Sequence, residues 1–237
     1  MNQQAQSNPS FKNELLAALS GEELQRLYPH LKKVDLHQGD VLHESDAPPD
    51  YVYFLEEGVA GLSVTSETGK ELNLSIVGND STVGERAIFR KGTFIIKCEM
   101  LTNGYGYTVP PQIFQDEFYR GGKLHDFVID KLESRLTETA QTAFCNTAHT
   151  VEQRLGRWLL GLADRLETDE LTLTQDYIAN MLGVHRPGVT IAAIALQDAG
   201  YIDYSRGRIA ILNREELENA ACECYKIIKE AVMKPNE

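Results

Sequence analysis

Residues 174–212 read TQDYIANMLGVHRPGVTIAAIALQDAGYIDYSRGRIAIL, two short helical patterns followed by two short β patterns. Within this stretch Ala179, Gly183 and Val189 are separated by four and then six residues. A small side chain lets two helices cross closely, glycine makes the tight turn between them, and a branched side chain fills the corner. This spacing predicts a helix-turn-helix.

The same stretch contains the expected ends of these elements. Thr174 is a suitable N-cap for a helix over residues 175–182, and a second helix follows Val184 and runs to about Ala199. Residues 201–212 then form two β-prone runs around the tip Ser205-Arg206-Gly207-Arg208, which predicts a hairpin. A hairpin at this position would be the wing of a winged helix-turn-helix.

The charge of the chain is unevenly distributed. Lys and Arg total 23 against 35 Asp and Glu, a net charge of −12 that argues against broad, nonspecific binding to nucleic acid. Three arginines nevertheless lie at the start of the second helix or at the hairpin tip: Arg186, Arg206 and Arg208. Because positive charge is focused where a DNA groove and its phosphates would lie, the segment predicts DNA binding.

Length and composition limit the other possibilities. A chain of 237 residues, 42% hydrophobic and 24% charged, is expected to form one large or two modest globular domains. We find no run of eighteen apolar residues and no secretory pattern at the start, so we expect a cytoplasmic protein without a membrane partner. Four cysteines are too few for a disulfide framework and are expected to be reduced. They are Cys98, Cys145, Cys222 and Cys224.

The region from Leu31 to Val109 has a β pattern. Short apolar or alternating runs are broken every eight to twelve residues by turn residues such as Gly39-Asp40 and Glu56-Glu57-Gly58. Many evenly spaced short strands are typical of a barrel or jelly roll.

A long helical pattern follows Pro110-Pro111, and its apolar and small residues step by three and four as in a heptad seam. The seam consists of Ile129, Leu132, Leu136, Ala140, Ala143 and Thr147. Because the local sequence offers no second helix beside it, the same helix of another subunit is the simplest partner, which favours a two-fold homodimer. Packing of this helix on its own β domain is the alternative.

These patterns together predict an α+β fold in five segments. They are a polar tail (1–12), a jelly-roll (double-stranded β-helix) sensor domain (13–110), a long dimerisation helix and hinge (111–149), a winged helix-turn-helix domain (150–220) and a C-terminal helix or tail (221–237). The fourth segment begins at Thr150, which with Gln153 forms a capping-box pattern.

The order and size of these segments resemble the Crp/Fnr family of bacterial transcription regulators. The resemblance rests on residues 53–58, on Val83-Gly84-Glu85 at the start of a phosphate-binding cassette, and on residues 178–186 in the helix-turn-helix. It implies a non-enzymatic homodimer that binds a two-fold symmetric site on double-stranded DNA. It also implies a small-molecule effector in the β-roll and RNA polymerase as a further partner.

One departure from the family concerns the effector. Cyclic-AMP-responsive members end the cassette in an Arg-Ser pair that holds the cyclic phosphate, and by register from Glu85 those positions hold Ile95 and Ile96. Phosphate needs a cation or several donors, so we expect no tight cyclic-nucleotide binding of that kind. The candidate effector-pocket residues are Glu85, Phe94, Ile95 and Ile96, although for the apolar three a role as core, or an unknown role, is favoured because buried branched side chains usually serve packing.

The resemblance also assigns DNA contacts. Arg186 matches a family arginine that reads guanine through O6 and N7, and Thr174 matches a residue that contacts phosphate. A family acidic contact and a later arginine are replaced by Pro187 and Ile191, so the preferred DNA site is expected to differ. The remaining candidates are the recognition-helix residues His185, Gly188 and Thr190 and the wing residues Arg206 and Arg208.

The same residues leave other functions open. No cofactor or metal site is predicted. An N-terminal iron–sulfur cluster is disfavoured because the first 97 residues contain no cysteine. Cys222 and Cys224 are two residues apart on an expected helix and would therefore not share a metal. Haem sensing is the closest rival. Its axial ligand could be His30, His37, His43, His125 or His149. A thiol switch, a cupin-type metal enzyme and a nucleotide-sensing adaptor are further alternatives, although no His-x-His supports the enzyme.

Overall fold

The computed structural model describes residues 10–89 and 94–232. Its first domain is a jelly roll of two four-stranded antiparallel sheets. The strands are β1 (Lys32–Leu36), β2 (Val41–His43), β3 (Val52–Glu57), β4 (Ala60–Thr65), β5 (Glu71–Val77), β6 (Thr82–Val83), β7 (Ile96–Met100) and β8 (Gly104–Val109). The strand orders in the two sheets are β1-β8-β3-β6 and β2-β7-β4-β5. The predicted α+β class with an N-terminal jelly roll is confirmed.

Apolar side chains from alternate strand positions fill the space between the two sheets. Leu55, Val83 and Met100 are at most 1% exposed there. Gly106 lets β8 approach β3, because a Cβ at this position would lie 2.4 Å from the carbonyl oxygen of Phe54. The sequence therefore sets both the alternation and the close pairing of this sheet.

Four helices flank the jelly roll: α1 (Glu14–Ala18), α2 (Gly21–Leu27), α3 (Pro111–Arg120) and α4 (Lys123–Ala148). The Ser20–Glu23 capping box forms and separates α1 from α2. Gly121 and Gly122, both with positive φ, likewise separate α3 from α4, so the segment 111–149 contains two helices where the sequence pattern suggested one.

The second domain contains the predicted winged helix-turn-helix. Its elements are α5 (Val151–Leu166), β9 (Glu170–Thr172), α6 (Gln175–Leu182), α7 (Arg186–Asp198), β10 (Ile202–Ser205), β11 (Arg208–Ile211), α8 (Arg214–Ala220) and α9 (Cys224–Val232). The predicted capping box of Thr150 and Gln153 forms, and Thr174 is the N-cap of α6. Gly183 makes the predicted turn in a left-handed conformation with φ of 63°. Ala179 and Val189 are buried where α6 and α7 cross.

The ends of the chain differ from the sequence expectation. Residues 1–9 of the predicted polar tail lie outside the described residues, but Phe11 is buried and contacts the ring of Tyr107 edge-on. Cys222 lies before α9 and Cys224 begins it, so the two are not on one helix as expected. The backbone between them turns instead, which brings both thiols to the same side.

The two domains share a continuous core. Leu155, Trp158 and Leu159 of α5 belong to the same buried cluster as Ile76 of β5 and Leu101. A buried ion network crosses the same boundary, because Arg165 of α5 lies 3.2 Å from Asp80 and 3.5 Å from Glu138 of α4. Burial opposes the charge of Arg165, but the two carboxylates raise the pKa of its guanidinium above the usual value.

The long helix α4 has two different faces. One packs on the β-roll and on α9 through buried residues such as Phe127, Thr142 and Cys145. The other carries the predicted seam, where Leu136 is 71% exposed and Ile129 44% exposed. Phe144, absent from the predicted seam, is 51% exposed near it. Across residues 10–89 and 94–232, no helix combines the length and apolarity needed to cross a membrane.

Candidate nucleic-acid interface

The first turn of α7 presents Arg186 to solvent. Its side chain is 61% exposed and lies 3.4 Å from the equally exposed carboxylate of Asp176. An exposed ion pair of this kind contributes little stability and separates easily, because water competes for both charges. The guanidinium can therefore leave Asp176 for a bidentate acceptor such as the O6 and N7 edge of guanine.

The rest of the solvent-facing side of α7 is mostly apolar. Ile191 is 69% exposed and Ile194 54% exposed, on the same half of the helix as Arg186 and Pro187. Exposed isoleucines on a helix beside an exposed arginine suit contact with thymine methyl groups. Sequence reasoning missed Ile194, although its spacing of eight residues from Arg186 marks the same face.

The structure adds local contacts for Thr190, His185 and Gly188 that the sequence could not predict. The hydroxyl of Thr190 donates to Oε1 of Gln175 at 2.8 Å, so this half-buried threonine ties α7 to the start of α6. His185 occupies the N-cap position of α7 but makes no capping hydrogen bond with its side chain. A Cβ at Gly188 would contact nothing within 4 Å, which leaves open space beside the helix.

The wing is an antiparallel hairpin of β10 and β11, completed by β9 as a third strand. Arg206 and Gly207 form its tip with positive φ angles of 51° and 81°. The hydroxyl of Tyr204 donates to the carbonyl of Leu173 at 3.1 Å, and the amide of Leu173 donates to the carbonyl of Gly207 at 2.8 Å. Arg206 and Arg208 are therefore exposed on a tip that is fixed relative to the start of α6.

Buried contacts hold the helix pair in place behind this surface. The guanidinium of Arg154 on α5 donates to the carbonyl of Leu182, an acceptor left free at the C-terminal end of α6. The hydroxyl of Thr174 accepts from the amide of Tyr177 at 3.2 Å and caps the other end. Thr174 is exposed, so its backbone and hydroxyl lie at the surface that a phosphate would approach.

The candidate effector residues do not all face one pocket. Glu85, at the start of a short 3₁₀ helix, is buried and forms an ion pair with Arg135 of α4. Arg135 also donates to Oγ of Ser81 at 3.1 Å. Phe94 lies under the guanidinium of Arg86 at 4.9 Å, and Ile96 begins β7 half-buried.

Ile95 departs from the expectation that it lines a pocket or fills the core, since it is 65% exposed. It precedes β7 and is not part of the inward alternation of that strand. Residues 90–93 of the cassette lie outside the described residues.

The histidines proposed as haem ligands are scattered through the chain. His43 is buried beside the Phe94 ring, and neither of its ring nitrogens has a hydrogen-bond partner among residues 10–89 and 94–232. Burial lowers the pKa of its imidazole. His30 and His37 are exposed, and His125 stacks obliquely on Phe118. His149 lies beside three cysteines near the end of α4.

Models of two known protein families match this chain, one in each of its two domains. A model of the cyclic nucleotide-binding domain matches residues 33–119, and a model of the Crp-like helix-turn-helix domain matches residues 153–220. The chain belongs to the Crp/Fnr family of transcription regulators. It therefore carries the helix-turn-helix DNA-binding domain of that family.

Relatives of this Crp/Fnr regulator match along most of its length. A CRP-like cAMP-activated global transcriptional regulator of Mycobacterium tuberculosis is 24% identical over 202 residues, covering 82% of this chain and 90% of the relative.

Among solved structures, a Crp/Fnr-family regulator from Eubacterium rectale has a TM-score of 0.71 at 20% identity, covering 88% of this chain and 98% of its own. FixK2 from Bradyrhizobium japonicum has a TM-score of 0.69 at 16% identity, with coverages of 81% and 98%. At these identities the structural likeness establishes the fold.

Proposed function

We propose that this Crp/Fnr regulator is a cytoplasmic homodimer that reads a two-fold symmetric DNA site and does not respond to cyclic AMP through an Arg-Ser clamp. One observation carries the proposal. In a chain of net charge −12, the exposed arginines of the winged helix-turn-helix stand at the start of α7 and at the wing tip. These are the positions where a recognition helix meets base edges and a wing meets phosphates.

The dimer is supported by the exposed seam of α4. Leu136, Ile129 and the neighbouring Phe144 expose large apolar surfaces along one side of a helix whose other side is already buried. A second copy of the same helix, related by a two-fold axis, would cover this face with an identical one. In such a dimer, each copy would contribute one α7 helix to the same DNA duplex.

Selection of bound sequences from random DNA tests the proposal as a whole. We expect enrichment of an inverted repeat whose half-site centres are about 10 base pairs apart, the spacing of two helix-turn-helix units on one DNA face. The selection is performed with purified protein at a stated salt concentration, with and without a small-molecule extract of cells. Failure to enrich any sequence in either arm would contradict the DNA-binding proposal.

Arg186 and Arg206 are expected to have different effects on DNA binding. Arg186→Ala should cost about 1–3 kcal/mol on the selected site and relax the preference at one base pair, because it removes a bidentate contact to a base. Arg206→Ala should weaken binding to all sequences alike and reduce the salt dependence by about one counterion, because it removes a phosphate contact. Titration of specific and random DNA distinguishes the two, and equal losses on both DNAs for Arg186→Ala would refute base reading.

Cyclic AMP is expected to bind weakly or not at all. By register the clamp positions hold Ile95 and Ile96, and Arg135, a cation near Glu85, is already paired with that carboxylate. Isothermal titration calorimetry should give a dissociation constant weaker than about 1 mM, a binding free energy no stronger than about −4 kcal/mol. Linear 5′-AMP, which lacks the cyclic phosphate, serves as the control ligand. Saturable micromolar binding of cyclic AMP alone would overturn this part of the proposal.

A further inference from the structure

Four side chains that could ligate a metal meet where α4 ends and α9 begins. Cys145 and His149 lie one helical turn apart at the end of α4. Cys222 lies in the turn before α9, and Cys224 is the first residue of α9. The three sulfur atoms and a ring nitrogen of His149 all lie within 4.8 Å of one another. The cysteines are at most 3% exposed, and the His149 side chain is 11% exposed.

Two ligand–ligand distances in this cluster are close to those of one tetrahedral ion. The Sγ atoms of Cys145 and Cys222 are 3.4 Å apart, and Sγ of Cys224 is 3.5 Å from Nδ1 of His149. Zinc bonds of about 2.3 Å to sulfur and about 2.0 Å to nitrogen place tetrahedral ligand atoms about 3.5–3.8 Å apart. A disulfide would require about 2.05 Å between two sulfurs, and a cluster of several irons would set its ligands further apart.

A second layer of contacts orients these ligands. Nε2 of His149 lies 3.2 Å from a carboxylate oxygen of Glu223, which favours the tautomer protonated at Nε2 and leaves Nδ1 facing Cys224 as an acceptor. The side-chain amide of Gln141 donates to Sγ of Cys224 at 3.1 Å. A carboxylate–histidine pair and an N–H donor to sulfur are the partners that metal-bound imidazole and thiolate take.

The charges around the cluster are complementary to a thiolate-rich site. Arg154 and Arg157 of α5 are at most 8% exposed, and within the described part of the chain neither forms an ion pair with a carboxylate. Zinc with three thiolates and a neutral imidazole carries one negative charge, which would offset part of the positive charge of the two guanidinium groups.

We propose that Cys145, His149, Cys222 and Cys224 bind one structural zinc ion. All four positions are protein ligands, so the site is closed, as in structural rather than catalytic zinc centres. The ion would join α9 to the end of α4 at His149, which with Thr150 connects α4 to α5. It would thereby fix the orientation of the DNA-binding domain relative to α4. This proposal stands independently of DNA binding.

Metal analysis of the full-length protein tests the site. Protein purified without chelator, under reducing conditions and with zinc in the medium, is expected to hold about one zinc per chain by elemental mass spectrometry. Cys222→Ser and Cys224→Ser should lose the metal. Cys98→Ala serves as the matched control, because Cys98 is also buried but lies in β7, outside the cluster.

A second measurement does not depend on the folding of any ligand variant. Cobalt added to the chelator-treated wild-type chain should give the thiolate charge-transfer and intense d–d bands of a tetrahedral site, and zinc should displace them. Glu223→Gln should weaken zinc affinity by about 10–100-fold, as loss of an outer-shell partner does. Glu230→Gln, an exposed change of the same kind on α9, should leave it unaltered.

Two results would overturn the proposal. One is wild-type protein without zinc or a tetrahedral cobalt spectrum while all cluster thiols remain free. The other is a stable Cys145–Cys222 disulfide, seen as a loss of two hydrogens by mass spectrometry in protein isolated under reducing conditions, which would assign the cluster to thiol chemistry instead.

Discussion

Replacing Leu136 by glutamate is expected to separate the proposed homodimer and to abolish its high-affinity binding to a symmetric DNA site. Leu136 is 71% exposed at the middle of the α4 seam, so in the proposed dimer its side chain would be buried against the partner helix. The substitution removes about 2 kcal/mol of apolar burial per copy and brings two carboxylates together across the two-fold axis. The dimer dissociation constant should rise at least about 100-fold, since each 1.4 kcal/mol is a factor of ten.

Sedimentation equilibrium measures this change, and DNA titration measures its consequence. Tyr28→Glu is the control, because it also replaces an exposed apolar ring by glutamate but lies directly after α2, outside the α4 seam. Tyr28 is 55% exposed, so this variant is expected to fold and to have the same oligomeric state as the wild-type chain. A Leu136→Glu chain that remains fully dimeric would show that α4 is not the dimer seam.

Arg165→Ala is expected to destabilise the folded chain by about 3–5 kcal/mol, the cost of leaving buried charges without their partner. The Arg165 side chain is 3% exposed and pairs with Asp80 and Glu138, which are also buried. Hydrogen bonds from Ser75 to Glu138 at 2.6 Å and from the amide of Gly78 to Asp80 at 2.8 Å keep both carboxylates in place after the arginine is gone.

Thermal unfolding measures the effect of Arg165→Ala. For a chain of this size the loss corresponds to a fall in Tm of about 6–20 °C. Arg120→Ala is the control, because Arg120 is 61% exposed in its ion pair with Glu117 and should change stability by no more than about 0.5 kcal/mol. If both variants unfold at the wild-type temperature, the Arg165 network does not stabilise the contact between the domains.

Local patterns were sufficient for most of the fold. The α6 helix occupies residues 175–182 as predicted, because Thr174 caps one end and Gly183 stops the other. The β strands of the jelly roll follow the alternation in the sequence, since burial between two sheets repeats every second residue. Arg186 and the wing-tip arginines could be recognised in the same way, because short-range turns alone determine that they are exposed.

Properties that depend on distant parts of the chain could not be predicted. The exposure of Ile95 depends on where β7 begins, and the pairing of Glu85 with Arg135 depends on how α4 packs across the β-roll. The sequence suggested that Cys222 and Cys224 point apart on one helix, whereas the turn before α9 brings them together.

The sequence by itself determined the order of the elements, the helix-turn-helix and its exposed arginines, because caps, turns and periodicity act over a few residues. Only the tertiary structure placed Cys145 and His149 beside Cys222 and Cys224, about 75 residues further along. It likewise brought Arg165 to Asp80 across the domain boundary. Such contacts follow from the packing of whole elements, and that packing minimises exposed apolar surface over the entire chain rather than within any one segment.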